Sequence, residues 1–275
     1  DNLYSLELFH GPSFAFKDFG ARFMARLVSY FLQKENKKIT ILVATSGDTG
    51  SAVAQGFLNM PGVNVVILYP SKKVSEIQEK QLTTIGQNIT ALEVNGTFDD
   101  CQKMVKEAFL DNELNEKMNL SSANSINISR LIPQSFYYFY AYAQLKKLGK
   151  PIVFCTPSGN FGNICGGLIA KKMGLPIQQF VAATNSNAIV PHYLVSGKFE
   201  PKPSIATVSN AMDVGNPSNF ARIQALFDND LEKAKATIVG MGFTDKSTKY
   251  AMKKVYKEAG YIMCCLLYTS PSPRD

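Results

Sequence analysis

Two stretches, "ILVATSGDTGSAVA" (41–54) and "VFCTPSGNFGNICGG" (153–167), share one plan. Each runs from an apolar strand through Ser-Gly-(Asp/Asn)-x-Gly into a helix that opens with small residues. Apolar runs of this kind suit strands buried on both faces, and glycine pairs let the chain turn sharply into the next helix. The rest of the chain keeps the alternation. Runs at 39–45, 64–70, 88–94, 152–157 and 177–184 read as strands, and helical spacing fills 18–34, 50–59, 98–112, 127–148, 162–173 and 245–259. The expected fold class is α/β, with parallel sheets, right-handed crossovers and ligands at the carboxyl ends of the strands.

In both loops the glycines allow close approach of a ligand to the backbone, and the helix start presents outward-pointing amides. A single such loop serves equally well as an ordinary capped turn, whereas two copies favour a pair of anion cradles. Asp48 in the first loop repels a phosphate dianion, while Asn160 at the matching place in the second offers a neutral amide. A permanent phosphate is therefore expected at residues 158–163, and a smaller anion such as a carboxylate at 45–50.

Composition sets the outer limits. With 45% hydrophobic and 19% charged residues over 275 positions, the chain can bury one large core or two smaller ones. Net charge is +7, yet the lysines are scattered, which favours small anionic ligands and argues against nucleic acid. No apolar run approaches the length of a membrane span. Five cysteines without a CxxC pair, and no visible secretory leader, lead to the expectation of a reducing, cytoplasmic setting. With only two histidines, a histidine-rich metal site is excluded and no metal is expected.

One lysine stands out. "FHGPSFAFKD" (9–18) places Lys17 among Phe14, Phe16 and Phe19, with Asp18 next to it. Its stem can lie on apolar surface while the head reaches water or Asp18. Alternatively, poor hydration keeps the amine partly neutral and able to attack a carbonyl. Pyridoxal phosphate, an aldehyde joined to a phosphate, requires both such a lysine and an anion cradle.

At this point the residues carry a resemblance. "LELFHGPSFAFKDFGARF" (6–23), "TILVATSGDTGSAVA" (40–54), "NSINISRLIPQSFYYFYAYAQL" (124–145), "PSGNFGNICGGLIAKKMGLP" (157–176), "AATNSN" (182–187) and "VSNAMDVGNPSNFAR" (208–222) resemble the threonine synthase family, in its long bacterial and fungal form. The resemblance runs almost continuously from residue 1 to about 263. It implies a fold-type-II pyridoxal-phosphate enzyme, similar to the tryptophan synthase β subunit, with two doubly wound parallel-sheet domains and the cofactor between them. It implies conversion of O-phospho-L-homoserine and water to L-threonine and phosphate. Lys17 matches the Schiff-base lysine, and Gly159, Asn160, Phe161, Gly162 and Asn163 match the phosphate-binding loop. Thr45, Ser46, Gly47, Asp48 and Thr49 match the loop beside the substrate carboxylate, and Ser125, Asn127, Ser129 and Arg130 lie in a motif that faces the substrate phosphate.

Two other functions stay open on the sequence: a related phospholyase releasing a keto acid from the same substrate, and a non-catalytic protein that binds a phosphorylated metabolite. The expected domains are 1–37 with 149–263, forming a large cofactor domain, and 38–148, a smaller α/β domain. Residues 264–275, "CCLLYTSPSPRD", depart from the family and read as a non-native tail. The family also has a helical region before residue 1, so truncation at both ends is expected. The hydroxyl partner of the pyridine nitrogen comes from the missing C-terminal part in the family, so these 275 residues alone are expected to lack it and to be at risk of inactivity. A monomer and a homodimer are both compatible with the sequence. His10 is expected to steady the lysine segment, the aromatic run 136–142 to pack on several sides, and Cys155 to pack within its strand.

Overall fold

A computed structural model describes residues 3–45, 47–125 and 127–263. Within them the chain forms two compact units, one from Leu8 to Pro133 and one joining the segment up to Glu7 with the segment from Gln134 onward. Ser46 and the proposed tail, 264–275, lie outside the described residues.

The Leu8–Pro133 unit contains α1 (Lys17–Glu35), β1 (Ile39–Ala44), α2 (Asp48–Phe57), β2 (Val63–Pro70), α3 (Glu76–Thr83), β3 (Ile89–Val94), α4 (Phe98–Leu110), α5 (Asn112–Met118), β4 (Leu120–Ser122) and α6 (Ile128–Leu131). Its four strands are parallel, in the order β3-β2-β1-β4. Successive side chains of a strand face opposite ways, and both faces of this sheet are covered. Ile41, Val43, Val65 and Ile67 pack in one core with Ala21, Met24 and Ala25 of α1 and Val53 and Phe57 of α2. Leu42, Ala44 and Leu68 pack on the other face with Cys101 and Val105 of α4. The sheet is doubly wound. The chain steps outward from β1 to β3, then returns to the far side of β1 as β4, so strand order reverses between the carboxyl ends of β1 and β4. Ligands bind at such reversals in open α/β sheets.

The second unit contains α7 (Phe136–Leu145), β5 (Ile152–Pro157), α8 (Gly162–Lys172), β6 (Ile177–Thr184), α9 (Ile189–Ser196), α10 (Phe220–Leu226), α11 (Leu231–Thr237), β7 (Ile238–Gly242) and α12 (Asp245–Ala259). Its strands are parallel in the order β5-β6-β7. Tyr138 of α7 sets its ring edgewise on Phe154 and Phe180 of the sheet, with centroids 4.9 and 5.9 Å away. Gly167 of α8 makes room for it, because a Cβ there would meet Phe180 at 2.6 Å and Tyr138 at 2.7 Å.

Several expectations change in detail. The helix expected over 127–148 is broken into α6, a 3-10 turn at Ile132–Ser135, α7 and a further 3-10 turn at Lys146–Leu148. Pro133 accounts for the break, since it lacks the amide proton that would continue the hydrogen-bond ladder of α6. The aromatic run packs on one side only, with Tyr137 and Tyr138 buried and Phe136 and Tyr140 exposed. Cys155 is exposed, on the same face of β5 as the exposed Val153. The unit boundaries also differ from the expected 1–37, 38–148 and 149–263. Residues 8–37 group with β1 because the apolar face of α1 completes that sheet's core, and α7 groups with β5 and β6 through Tyr138.

Candidate active site

Lys17 opens α1 at the end of a tight turn. Asp18, buried, closes that turn by accepting from the Ser13 amide (3.0 Å) and the Ser13 hydroxyl (2.7 Å). With Asp18 committed, Lys17 extends instead to Asp48, its Nζ 4.0 Å from Oδ2. Its aromatic company is thinner than expected. Phe14 and Phe19 are exposed, and Phe16 is the ring beneath the ammonium, 5.9 Å from its centroid. The Lys17 side chain keeps 21% of its surface open. His10 packs its ring on Phe9, centroids 4.4 Å apart.

The first glycine loop follows β1, at the reversal of strand order. Thr45 shapes it: the hydroxyl accepts from the amides of Gly47 (3.0 Å) and Gly50 (2.8 Å) and donates to the Gly47 carbonyl (3.0 Å). These bonds use the whole capacity of a hydroxyl, so Thr45 offers a ligand shape rather than its side chain. Gly47 has φ +146°, a conformation that side chains rarely adopt. Asp48, 9% exposed, accepts from Gln78 Nε2 at 2.9 Å. Thr49 is half-exposed in the first turn of α2.

Across the reversal, the segment after β4 is tied to β1 by Asn124, whose amide donates to the Ala44 carbonyl at 3.0 Å. Ser125 is half-buried in the turn that follows. Asn127 caps α6, accepting from the Ser129 amide (2.9 Å) while donating to the Ser122 carbonyl (2.7 Å). Ser129 is half-buried beside it. Arg130 is 2% exposed and gives a guanidinium hydrogen bond to the Ala123 carbonyl at 2.6 Å. Burial lowers its pKa to about 10, which leaves it charged at neutral pH. Its carbonyl abuts Gly20, one turn along α1 from Lys17, where a Cβ would lie 2.6 Å away. Lys17, the 45–50 loop and the 124–130 segment thus converge at one end of one sheet.

The second loop, 158–163, belongs to the other unit. Asn163 anchors it: its side chain accepts from the Ser158 hydroxyl and the Ile164 amide, each at 2.8 Å, and donates to the Pro157 carbonyl at 2.6 Å. Asn160 Oδ1 accepts from the amide (2.6 Å) and hydroxyl (2.9 Å) of Ser218. Gly159 lets the loop pass Met212, whose Cα would lie 2.7 Å from any Cβ. Phe161 is left-handed, with φ +61°, and Gly162 starts α8 with no acidic residue in the first turn. Among the described residues, the amides of Gly159, Phe161, Gly162 and Asn163 take no acceptor within the chain. Uncommitted amides at a neutral helix start suit a phosphate.

Comparison with known proteins places the chain in a family. The family model described as "Pyridoxal-phosphate dependent enzyme" matches residues 2–265. The chain belongs to the pyridoxal-phosphate-dependent enzymes. It is 49% identical over 265 residues to threonine synthase of Buchnera aphidicola from Acyrthosiphon pisum, covering 95% of this chain and 60% of that protein. The crystal structure of threonine synthase from Escherichia coli superposes with a TM-score of 0.89 at 48% identity, over 97% of this chain and 61% of that one. The pyridoxal-phosphate-bound threonine synthase of Brucella melitensis gives 0.90 at 35% identity, over 97% and 63%. The chain spans about 60% of the length of the curated relatives it matches.

The cofactor of this pyridoxal-phosphate family fits the residues present. Lys17 is an accessible primary amine, and in the other unit the loop at 158–163 leads into a helix start with no acidic residue in its first turn. Among the described residues no helix is long and apolar enough to cross a membrane. Three supporting side chains escaped the sequence reading: Gln78, Tyr138 and Ser218. Gln78 carried a signal, since Ser75 and Gln78 have capping-box spacing. In the "VSNAMD" segment Asp213 ties the loop down, accepting from Asn185 (2.8 Å), Asn187 (3.2 Å) and Thr207 (2.7 Å).

Proposed function

We propose that the chain carries out the chemistry of a threonine synthase, converting O-phospho-L-homoserine and water to L-threonine and phosphate. The observation that carries this is the placement of Lys17 Nζ 4.0 Å from Asp48 at the strand-order reversal, beside the loop and segment matching the family's substrate motifs.

Bound pyridoxal phosphate supplies an aldehyde and a ring that takes up the negative charge developed on the substrate. Lys17 would be the residue that holds the cofactor's aldehyde, and its free amine would accept the proton leaving the α-carbon and later return it. Asp48 stabilises the ammonium form during that interval. The loop amides at 159 and 161–163 would hold the cofactor phosphate, and the first turn of α2, with Gly47 and Thr49, would hold the substrate carboxylate. Ser46 is part of the same proposal. Ser125, Asn127, Ser129 and Arg130 form the wall toward the leaving phosphate, with the buried guanidinium of Arg130 stabilising the departing anion. Asn127 contributes there by capping α6 and fixing Arg130. A cytoplasmic setting goes with this reading, since Cys101, Cys155 and Cys165 are free thiols, which a reducing compartment maintains.

Incubating the chain with pyridoxal phosphate and O-phospho-L-homoserine, then analysing products, tests the proposal. Threonine and phosphate in equal amounts support it. Phosphate with a keto acid identifies a phospholyase instead, and cofactor binding with neither product identifies a binding protein.

A further inference from the structure

Gln78 sits at the third position of α3, where its side chain completes a capping box with Ser75. Its Oε1 accepts from both the Ser75 amide (3.2 Å) and the Ser75 hydroxyl (3.1 Å). An amide has one oxygen end and one nitrogen end, so this pairing fixes which way it points. The nitrogen end is left facing Asp48, and Nε2 donates to Oδ1 at 2.9 Å. With Oδ1 held, Oδ2 is the oxygen turned to Lys17 Nζ at 4.0 Å. Gly47 completes the arrangement, since a Cβ there would stand 2.5 Å from Gln78 Nε2.

We infer that Gln78 is a positioning residue for the lysine: by gripping one oxygen of Asp48 it aims the other at Lys17 and sets how strongly the two charges couple. The helix cap of α3 and the loop after β1 are thereby one device. The inference rests on the role assigned to Lys17 above, but its test does not use turnover. The other carboxylate near Lys17 in sequence, Asp18, is already bound to Ser13 and does not compete.

The test is a mutant cycle on the full chain without cofactor. Lys17 is labelled by reductive methylation at one mildly alkaline pH, and its rate is followed by peptide mass spectrometry, with thermal unfolding confirming a folded sample. Removing the charge with Asp48→Asn raises the Lys17 rate about two- to fivefold, the range an ion pair of this separation gives. In a Gln78→Leu background the same Asp48→Asn change has less than about half that effect. Ser75→Ala, which removes the hydroxyl anchor of Gln78 and leaves only the backbone amide at residue 75 to hold it, reduces the coupling in the same direction, by less, and serves if Gln78→Leu unfolds. An Asp48→Asn effect as large or larger in both backgrounds overturns the inference. Failure of the chain to make threonine would leave this coupling measurable and so would count only against the proposed reaction.

Discussion

The Tyr138 hydroxyl donates to the main-chain oxygen of Asn163 over 3.0 Å and lies 3.3 Å from Thr156 Oγ1. A residue on α7 thus fixes the end of the second glycine loop from beneath. Tyr138→Phe keeps the ring packing and removes this hold. Loss of about 1–2 kcal/mol is expected, read as a thermal midpoint lower by roughly 2–4 °C per kcal/mol, together with weaker pyridoxal-phosphate binding. An unchanged midpoint and affinity would show that the loop holds its shape alone.

Gly47 and Gly86 both have positive φ, but their surroundings differ. A Cβ at Gly47 would strike Gln78, whereas nothing lies within 4 Å at Gly86. Gly86→Ala should destabilise by about 1 kcal/mol from backbone strain alone. Gly47→Ala should lose about 2–3 kcal/mol, since it adds displacement of Gln78 from Asp48. Denaturant midpoints compare the two, and equal losses would refute the steric part.

Two hydroxyls at the first loop make opposite predictions. Thr45 Oγ1 joins Gly47 and Gly50, so Thr45→Val should lose about 1–3 kcal/mol. Among the described residues Ser51 Oγ is buried without a partner, so Ser51→Ala should leave stability unchanged or raise it by up to about 1 kcal/mol. A large loss at Ser51 by chemical unfolding would contradict this.

Cys165 provides a pH signature. Burial raises its thiol to about 11, with Arg222 opposing. The unfolded chain binds fewer protons than the folded one once pH exceeds the ordinary thiol value, so stability falls as pH rises from about 9 to about 11. Tyr137 and Tyr138, also raised by burial, add to the decline at the upper end. Cys165→Ala should flatten the Cys165 part, on the order of 2 kcal/mol, in unfolding curves across that window. Parallel pH profiles for the two proteins would contradict the assignment.

Much of this architecture was legible because the strongest signals are local. Five apolar runs became β1, β2, β3, β5 and β6 within a residue or two, and α12 spans the expected 245–259. The strands that escaped are weak as patterns: β4 is three residues, "LSS", and β7 is "IVGMG", whose glycines lower strand propensity. α9 escaped because Pro191 sits in it, harmlessly, in the first turn where no amide is needed. At the site, the lysine and both glycine loops could be seen in sequence, since each joins an unusual residue to a special backbone. Their supports could not. Gln78 is 30 positions from Asp48, and Ser218 is 58 from Asn160. Such pairings are made by topology rather than by neighbourhood in the chain.

The most direct test of the account is borohydride reduction of the chain after addition of pyridoxal phosphate, followed by peptide mapping of the fixed cofactor. The account predicts one dominant label, on Lys17, lost in Lys17→Ala. A label spread over the surface lysines, or concentrated on another lysine with Lys17 unmodified, would contradict it.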